Sequence, residues 1–420
     1  MKVLVLGGGA REHTILWKLS LSDRSHRLFA APGNAGTREI AENLDIAPTD
    51  LESVAKAARE FAVDLVVVGP EAPLAAGIVD YLEQSGIPAF GPNREAARIE
   101  SSKVFAKSLM HKYGIPCARD AVFSSYDEAR DYIMEQPAPL VIKADGLAAG
   151  KGVVIVQTRE EALKALSEIM CDRVFGDAGS SVLVEECLSG RETSLIAFTD
   201  GKTVAPLPAA RDYKRVYEGN LGPNTGGMGA YSPPDFFDSE LSRELTRTIL
   251  EPTVRAMASE GRPYRGMLYA GLMLTDEGPK VLEYNARFGD PETQVQLPLL
   301  KSDLLDIMLA ITRGELGSVE VSWDDGACVG VVLASGGYPG RFRTGYPISG
   351  LDKTGRDVAV FHAGTRYADG RVETAGGRVL TVVATGGDVA EARGKVMSSI
   401  PSIHFEGCYY RKDIAAEEVR

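Results

Sequence analysis

The chain has 420 residues, 44% hydrophobic and 25% charged, enough for several domains around a large core. Its formal charge of −12 argues against a duplex nucleic-acid binder, which carries a net basic face, and no apolar run approaches membrane-spanning length. Its 5 cysteines are dispersed without a C-x-x-C pair and its 5 histidines include no H-E-x-x-H, so a zinc site or disulfide framework is not expected, and reduced thiols in the cytoplasm are.

Met1-Lys2-Val3-Leu4-Val5-Leu6 reads as a first strand, not as a signal peptide. Strands are predicted over 2–6, 27–31, 64–69 and 87–90, with helices over 12–21 and 74–85 between them. Strands alternating with helices imply a parallel sheet whose ligand crevice lies at the carboxyl ends of the strands. Three loops fall there: Gly7 to His13, Pro32 to Gly36, and Gly69 to Leu74. The first matches a dinucleotide fingerprint poorly. Gly7 and Gly9 fit, but Glu12 holds the third glycine place and the second strand ends without an acid for a ribose diol. A phosphate at a helix N-terminus needs only backbone N–H groups and the dipole, so that reading stands. Glu71 is a candidate for ribose hydroxyls or, equally, a carboxylate at a helix start.

Residues 93–112 read as one or two helices carrying Lys103, which taken alone reads as a solvated surface lysine. A strand over 139–144 then ends on Lys143, and residues 145–152 form a small-residue loop with a second lysine, Lys151, before a returning strand over 153–156. It lacks the P-loop pattern and joins two strands. A hairpin of this kind can close over phosphates as a lid. A helix over 159–171 leads to the strand and connector Val184-Glu185-Glu186-Cys187-Leu188-Ser189-Gly190-Arg191-Glu192, whose backbone and carboxylates suit an adenine edge and ribose hydroxyls. Asp212 and Lys214 follow a further strand, and the loop Gly222 to Gly229 is glycine-rich enough for a substrate to approach its main-chain N–H groups. Helices are predicted over 239–260 and 293–313.

Between them runs Val281-Leu282-Glu283-Tyr284-Asn285-Ala286-Arg287-Phe288-Gly289-Asp290-Pro291-Glu292. Strand side chains alternate, so Glu283, Asn285 and Arg287 share a face. A carboxylate and an amide oxygen two residues apart form a hard-oxygen edge suited to Mg²⁺, and a guanidinium beside it suits a transferring phosphoryl group. Asp290 stands at a helix start with Pro291 in its first turn. After residue 326, strands are predicted over 327–334, 362–365 and 378–384, a helix over 389–399, and hairpin turns at Asp369-Gly370 and Gly376-Gly377. No catalytic constellation is evident there.

The lysine strand, glycine lid, second lysine, Val-Glu-Glu-x-Leu-x-Gly-x-Glu and Glu-x-Asn strand together resemble the ATP-grasp carboxylate–amine ligases. The Gly222–Gly229 loop, the string Arg287-Phe288-Gly289-Asp290-Pro291-Glu292 and the ordered loops at Arg11-Glu12-His13, Pro32-Gly33-Asn34 and Gly69-Pro70-Glu71 resemble, along the whole chain, the glycinamide ribonucleotide synthetase family. The resemblance implies an α/β and α+β multidomain fold. Its parts would be an N-terminal Rossmann-like parallel sheet (pre-ATP-grasp) over 1–101, a two-subdomain ATP-grasp core over 102–320 with its lid at about 115–187, and a small mixed α/β C-terminal domain over 326–420.

It implies an ADP-forming ligase of purine biosynthesis that joins glycine to 5-phosphoribosylamine through a glycyl phosphate, with ATP and Mg²⁺ or Mn²⁺. Its partners would be small molecules, with no nucleic acid and no membrane, and it would act as a monomer. By motif, Lys103, Lys143 and Lys151 meet ATP phosphates; Glu185, Glu186 and Leu188 line the adenine pocket, and Glu192 the ribose. Glu283 and Asn285 hold the metal, Arg287 stabilises the phosphoryl group, and Asp290 meets the glycine ammonium near Thr225, Gly226, Gly227, Met228 and Gly229. Gly9, Arg11, Asn34 and Glu71 face phosphoribosylamine, with Asp212 and Lys214 between the two substrates. The preceding strand, Tyr269 to Leu274, lacks the second metal carboxylate of many ATP-grasp enzymes, so a two-metal site would need Asp212, Asp290 or another acid as a substitute. Two alternatives stay open: another ATP-grasp ligase or carboxylase, and a non-catalytic nucleotide-binding protein.

Overall fold

Apolar runs of four to six residues set the first layer, described by a computed structural model covering residues 1–24, 27–148 and 152–419. Lys2–Gly7 lies at the centre of a five-stranded parallel sheet, between Arg27–Pro32 and Leu65–Val68, with the short Glu42–Asn43 and Ala89–Phe90 at the edges. Its central strands are buried on both faces, as crossover connections require. The expected helix over 74–85 is two helices, Glu71–Ala76 and Ile78–Gln84. Gly77 between them takes the left-handed conformation (φ +89°), which ends the first helix. Residues 93–112 are likewise two helices, Arg94–Ser101 and Lys103–Tyr113, because the Ser102 hydroxyl accepts from the Phe105 N–H at 3.1 Å and starts a new one.

Two antiparallel sheets follow. In the first, Asp120–Phe123, Val182–Glu186, Leu140–Ala144 and Val153–Val156 lie side by side, with helices Tyr126–Glu135 and Arg159–Met170 packed on its own small core. In the second, Val204–Pro206, Arg191–Thr199, Gly266–Thr275 and Gly278–Asn285 pair in that order, backed by a helical rod over 239–259 with one wider turn at Thr246–Leu250. The Lys143 hairpin and the Glu283 strand therefore belong to different sheets that face one another.

The last sheet was not legible in advance. Its order is Arg211–Asp212, Gly229–Ser232, Ala327–Ala334, Arg378–Gly386 and Val358–His362. Two strands that precede residue 326 thus extend the C-terminal sheet, and Asp212 stands at its edge. Three expectations change. The helix over 293–313 is broken: Glu292–Gln296 ends in the tight turn Leu297–Leu299 at Pro298, and Asp303 caps a separate helix, Leu304–Arg313, by accepting from the Leu305 N–H at 2.8 Å. Residues 362–365 form the corner between Val358–His362 and Thr365–Ala368. Gly376-Gly377 joins strands of two different sheets, whereas Asp369-Gly370 does turn the hairpin between Thr365–Ala368 and Arg371–Thr374. No helix among the described residues is long and apolar enough to cross a membrane.

The N- and C-terminal sheets meet through a buried histidine pair. The His362 N–H donates to His13 Nδ1 at 2.9 Å, and Asn34 Nδ2 donates to the His362 carbonyl at 2.7 Å. Burial lowers both rings, His13 to about 3 with His362 adding to the effect, and His362 to about 4. A proton on His13 Nδ1 would face an N–H donor. A histidine depressed in the folded state stabilises it above the ordinary value of 6.5, and that stability is lost as pH falls towards the folded values. The midpoint of urea unfolding is therefore expected to drop steeply between about pH 6.5 and 4, with a shallower drop in the His13→Asn/His362→Asn double variant. Equal slopes would place the acid sensitivity elsewhere.

Candidate active site

The strand Gly278–Asn285 places Glu283 opposite Gly271 and Asn285 opposite Tyr269. A Cβ on Gly271 would lie 3.4 Å from Glu283 Cγ, so the glycine leaves the carboxylate room. No hydrogen bond to the Glu283 carboxylate forms among the described residues. Burial would raise its pKa, but Lys214, Lys143, Lys103 and Arg287 outweigh it and hold the carboxyl below its ordinary range. An ionised carboxylate ringed by cations and lacking donors, beside an amide oxygen, fits a hard divalent cation.

Arg287 lies on the same face, as strand alternation requires, and its Nη2 donates to Asn285 Oδ1 at 3.1 Å. Its Nε lies 3.1 Å from Glu71 Oε2 and 3.2 Å from Glu100 Oε1, and its Nη1 donates to the Phe288 carbonyl at 3.1 Å. Glu71 is thus a partner of Arg287, and Glu100, which sequence reasoning missed, is another. Burial raises the Glu100 carboxyl against the pull of Arg287, while Glu71 is held low by Arg287 and Arg11 against its own burial. Three donors of the guanidinium are spent on positioning, and its other N–H groups remain for an anion.

On the facing sheet, Lys143 Nζ pairs with Glu185 Oε2 at 2.9 Å and donates to the Leu282 carbonyl at 3.0 Å, so it reaches the Glu283 strand. Lys103 donates to the Gly146 carbonyl at 2.9 Å at the root of the hairpin loop. Burial lowers its pKa while Glu283 opposes that, so Lys103 is part of the cluster and not a solvated surface lysine. Lys151 lies outside the described residues. Glu185 and Glu186 point to opposite faces. Glu185 is buried between Lys143 and Lys107 (3.5 Å), whereas Glu186 is held by Arg119 at 2.9 Å and Lys280 at 3.5 Å. The two side chains therefore face different surroundings, Glu185 held by the two lysines and Glu186 by Arg119 and Lys280. Leu188 is half-buried, and Glu192 is exposed and lies 3.9 Å from Lys214 Nζ. Burial would lower Lys214, but Glu192, Glu283 and Asp212 outweigh it and keep the ammonium charged.

The loop before Gly229 differs from expectation. The Thr225 N–H donates to the Lys214 carbonyl at 2.7 Å, Gly226 to Tyr338 Oη at 3.0 Å, Gly227 to Thr225 Oγ1 at 3.0 Å, and Met228 to the Tyr213 carbonyl at 2.8 Å. Its amides hold the loop itself, and Met228 is buried. Gly227, at φ +107°, lies over Asp212: a Cβ there would sit 2.7 Å from Asp212 Oδ1. Asp290 is not open either. Arg378, from the C-terminal sheet, donates to Asp290 Oδ2 at 2.8 Å and Gln294 to Oδ1 at 2.8 Å, while Arg378 also reaches the Gly226 carbonyl. Burial would raise Asp290, but Arg378 and Arg11 hold it low.

The first loop closes the site. Gly9 N–H donates to Glu12 Oε2 at 2.7 Å, and Arg11 pairs with Glu12 Oε1 at 2.6 Å and donates to the Phe288 carbonyl at 3.2 Å. Asn34 is fully committed: Nδ2 donates to the Gly8 and His362 carbonyls, and Oδ1 accepts from Gly36 and Thr37. It shapes the loop and has no side-chain group left for a substrate. Glu292, quoted within a motif but given no role, is buried and accepts from Tyr269 Oη at 2.5 Å and Ser194 Oγ at 3.0 Å.

The assembled arrangement is an oxygen edge on which Lys103, Lys143, Lys214 and Arg287 all bear electrostatically, a set of groups suited to a metal ion together with an anion. The chain matches the family models for phosphoribosylglycinamide synthetase: the N domain over residues 1–100, the ATP-grasp (A) domain over 101–293 and the C domain over 328–417. It is 50% identical over 416 residues to the phosphoribosylamine–glycine ligase of Caldanaerobacter subterraneus, covering 99% of this chain and 100% of that one. The crystal structure of the phosphoribosylamine–glycine ligase of Thermotoga maritima superposes with a TM-score of 0.88 at 38% identity, covering 99% and 100% of the two chains. The biotin carboxylase domain of the Hydrogenobacter thermophilus 2-oxoglutarate carboxylase superposes at 0.73 with 16% identity over 97% of this chain and 91% of that one, a likeness of fold alone.

Proposed function

The chain belongs to the phosphoribosylglycinamide synthetase family, and from that premise we propose how its site performs the family's reaction. It is an ATP-dependent ligase that joins glycine to 5-phosphoribosylamine, giving glycinamide ribonucleotide, ADP and phosphate, and it uses a divalent metal. A carboxylate is a poor electrophile, because its charge repels a nucleophile and oxide leaves badly. Transfer of the γ-phosphoryl group to a glycine carboxylate oxygen releases ADP and makes an acyl phosphate. The ribosylamine nitrogen then attacks that carbonyl carbon, the C–O bond to phosphate breaks, and the amine gives up a proton. No enzyme nucleophile is needed. Holding the reactants in line can remove roughly 7–11 kcal/mol of barrier.

The observation that carries this reading is the Glu283 carboxylate, without a donor among the described residues, on a strand that Lys143 grips at the Leu282 carbonyl (3.0 Å) and on one face with Asn285 and Arg287, which are hydrogen-bonded at 3.1 Å. Glu283 and Asn285 are the residues that would hold the metal, and their hard oxygens favour Mg²⁺, with Mn²⁺ able to replace it. A cation bound there supplies charge neutralisation at the phosphates. Lys143, fixed by Glu185 and the Leu282 carbonyl, and Lys103, fixed by the Gly146 carbonyl, neutralise phosphate oxygens. Lys151 is assigned to the same phosphates by motif alone. Arg287, oriented by Glu71 and Glu100, takes the group in flight. Glu186, Leu188 and Glu192 border the nucleoside, and Gly9 and Arg11 border the phosphoribosylamine side. The cysteines are all free, which supports a reducing, cytoplasmic setting.

The test is ADP release with ATP and Mg²⁺, adding glycine and phosphoribosylamine separately and together, the labile amine being generated in place from ribose 5-phosphate and ammonia. Release only with both present is expected. Release with glycine alone would reopen the identity of the amine, and ATP binding without release would return the non-catalytic reading.

A further inference from the structure

We infer that His111, Cys117 and Asp120 form a second metal site, for a thiophilic divalent ion of the zinc class, sharing no ligand with the hard-oxygen edge of Glu283 and Asn285. The site is independent of the ligase reading.

The sequence carries neither C-x-x-C nor H-E-x-x-H, and no zinc site is expected from it. The fold nevertheless gathers a nitrogen, a sulfur and an oxygen ligand from one short stretch, spaced His-x5-Cys-x2-Asp. His111 stands in the last turn of the helix Lys103–Tyr113, and Asp120 opens the strand Asp120–Phe123 of the first antiparallel sheet. Between them Cys117 runs parallel to Val281 of the second sheet, where the Val281 N–H donates to the Pro116 carbonyl at 2.8 Å. The three ligand atoms lie within 4.8 Å of one another, and His111 Nε2 is 2.6 Å from Asp120 Oδ1. Bonds of about 2.0–2.3 Å put the ligand atoms of a four-coordinate ion roughly 3.3–3.8 Å apart, between those two separations. Shifts of about 1 Å suffice, and the exposed His111 side chain is free to make them.

The donor set decides which ion. A thiolate and an imidazole select zinc-class ions over Mg²⁺, which takes oxygen ligands, and three protein ligands leave a fourth position for water. Cys117 is a free, half-buried thiol, and its proton passes to water as the sulfur–metal bond forms. His111 offers the Nε2 lone pair with its ring proton on Nδ1. The nearest opposing charge is Lys107, 3.6 Å from Asp120 Oδ1. Lys107 also lies 3.5 Å from Glu185 Oε1 and donates to the Ala118 carbonyl at 3.1 Å, so it keeps a counter-charge and an acceptor when Asp120 turns to an ion. The thiolate that forms offsets one of the two charges brought in. A bound ion would fasten the helix, the root of the first sheet and the segment lying along the Glu283 strand to one another.

Titration of the reduced full chain with Co²⁺ in excess Mg²⁺ tests this, because Co²⁺ takes zinc sites and a thiolate ligand gives it a charge-transfer absorption band. One Co²⁺ per chain with that band is expected, displaced by Zn²⁺ and not by Mg²⁺. Cys117→Ser should weaken Co²⁺ binding at least about 100-fold and abolish the band, since even supporting groups around a metal cost up to that much when removed. His111→Gln should weaken binding too, and Glu283→Gln should leave both band and affinity unchanged. No band in the unaltered protein would overturn the site, as would a band that survives Cys117→Ser or one that disappears in Glu283→Gln, which would put the ion on the oxygen edge. Urea unfolding without Co²⁺ shows whether each variant is folded. If Cys117→Ser is not, His111→Gln decides, its side chain being exposed, and an unchanged titration there would overturn the site. Failure of both variants to fold would make the three residues a structural contact and overturn it as well.

Discussion

Glu283→Gln is expected to lower kcat at least about a thousandfold, the scale on which groups that stabilise transferring charge act, at every concentration of ATP, glycine and Mg²⁺. The substitution keeps the shape and removes the charge. The Glu283 carboxylate accepts nothing from the described residues, and Lys214, Lys143, Lys103 and Arg287 all bear on it, so its structural partners are electrostatic. Each of those cations has a second anchor: Glu192 for Lys214, Glu185 for Lys143, the Gly146 carbonyl for Lys103, and Glu71 with Glu100 for Arg287. The fold should therefore survive with a loss of about 1–3 kcal/mol, read by urea unfolding at neutral pH. Asn285→Ala added to it should leave no measurable turnover. Turnover within tenfold of the unaltered protein would move the metal edge to Asp212 or another acid.

Arg287→Met is expected to damage stability and rate together. Glu71 and Glu100 would lose the guanidinium that compensates them, and breaking a buried pair in this way costs about 3–5 kcal/mol. The pH dependence separates this cause from lost packing. Without Arg287 both carboxyls should sit above their unfolded values in the folded state. A carboxyl raised by folding is destabilising above its unfolded pKa, and the penalty grows as pH rises through the folded value. The stability gap between variant and unaltered protein should then be wider at pH 8 than at pH 5. A gap independent of pH would point to packing alone. Arg287→Lys should recover part of the stability and little of the rate, because an ammonium is a point charge and cannot hold Glu71, Glu100 and Asn285 Oδ1 while facing a phosphoryl group.

The sequence alone was enough to place Glu283, Asn285 and Arg287 on one face, because alternation along a strand follows from backbone sterics and needs no neighbour. The parallel strands at 2–7, 27–32 and 65–68 were legible for the same local reason, as was the lysine at the end of Leu140–Ala144. Caps and breakers decided the corrections: Ser102, Gly77 and Pro298 with Asp303 each cut a helix where periodicity alone ran on. What the tertiary structure alone decided is which groups are spent. Arg378 lies 88 residues from Asp290, Glu71 lies 216 from Arg287, and His362 lies 328 from Asn34, yet each pair is in contact. Such partners carry no periodic signal. They arise where separately formed sheets dock and bury their charges, and burial then demands a counter-ion or a donor. The motif residues were visible in the chain; that Asn34 and Asp290 were already partnered, and Asp212 was not, followed only from how the sheets met.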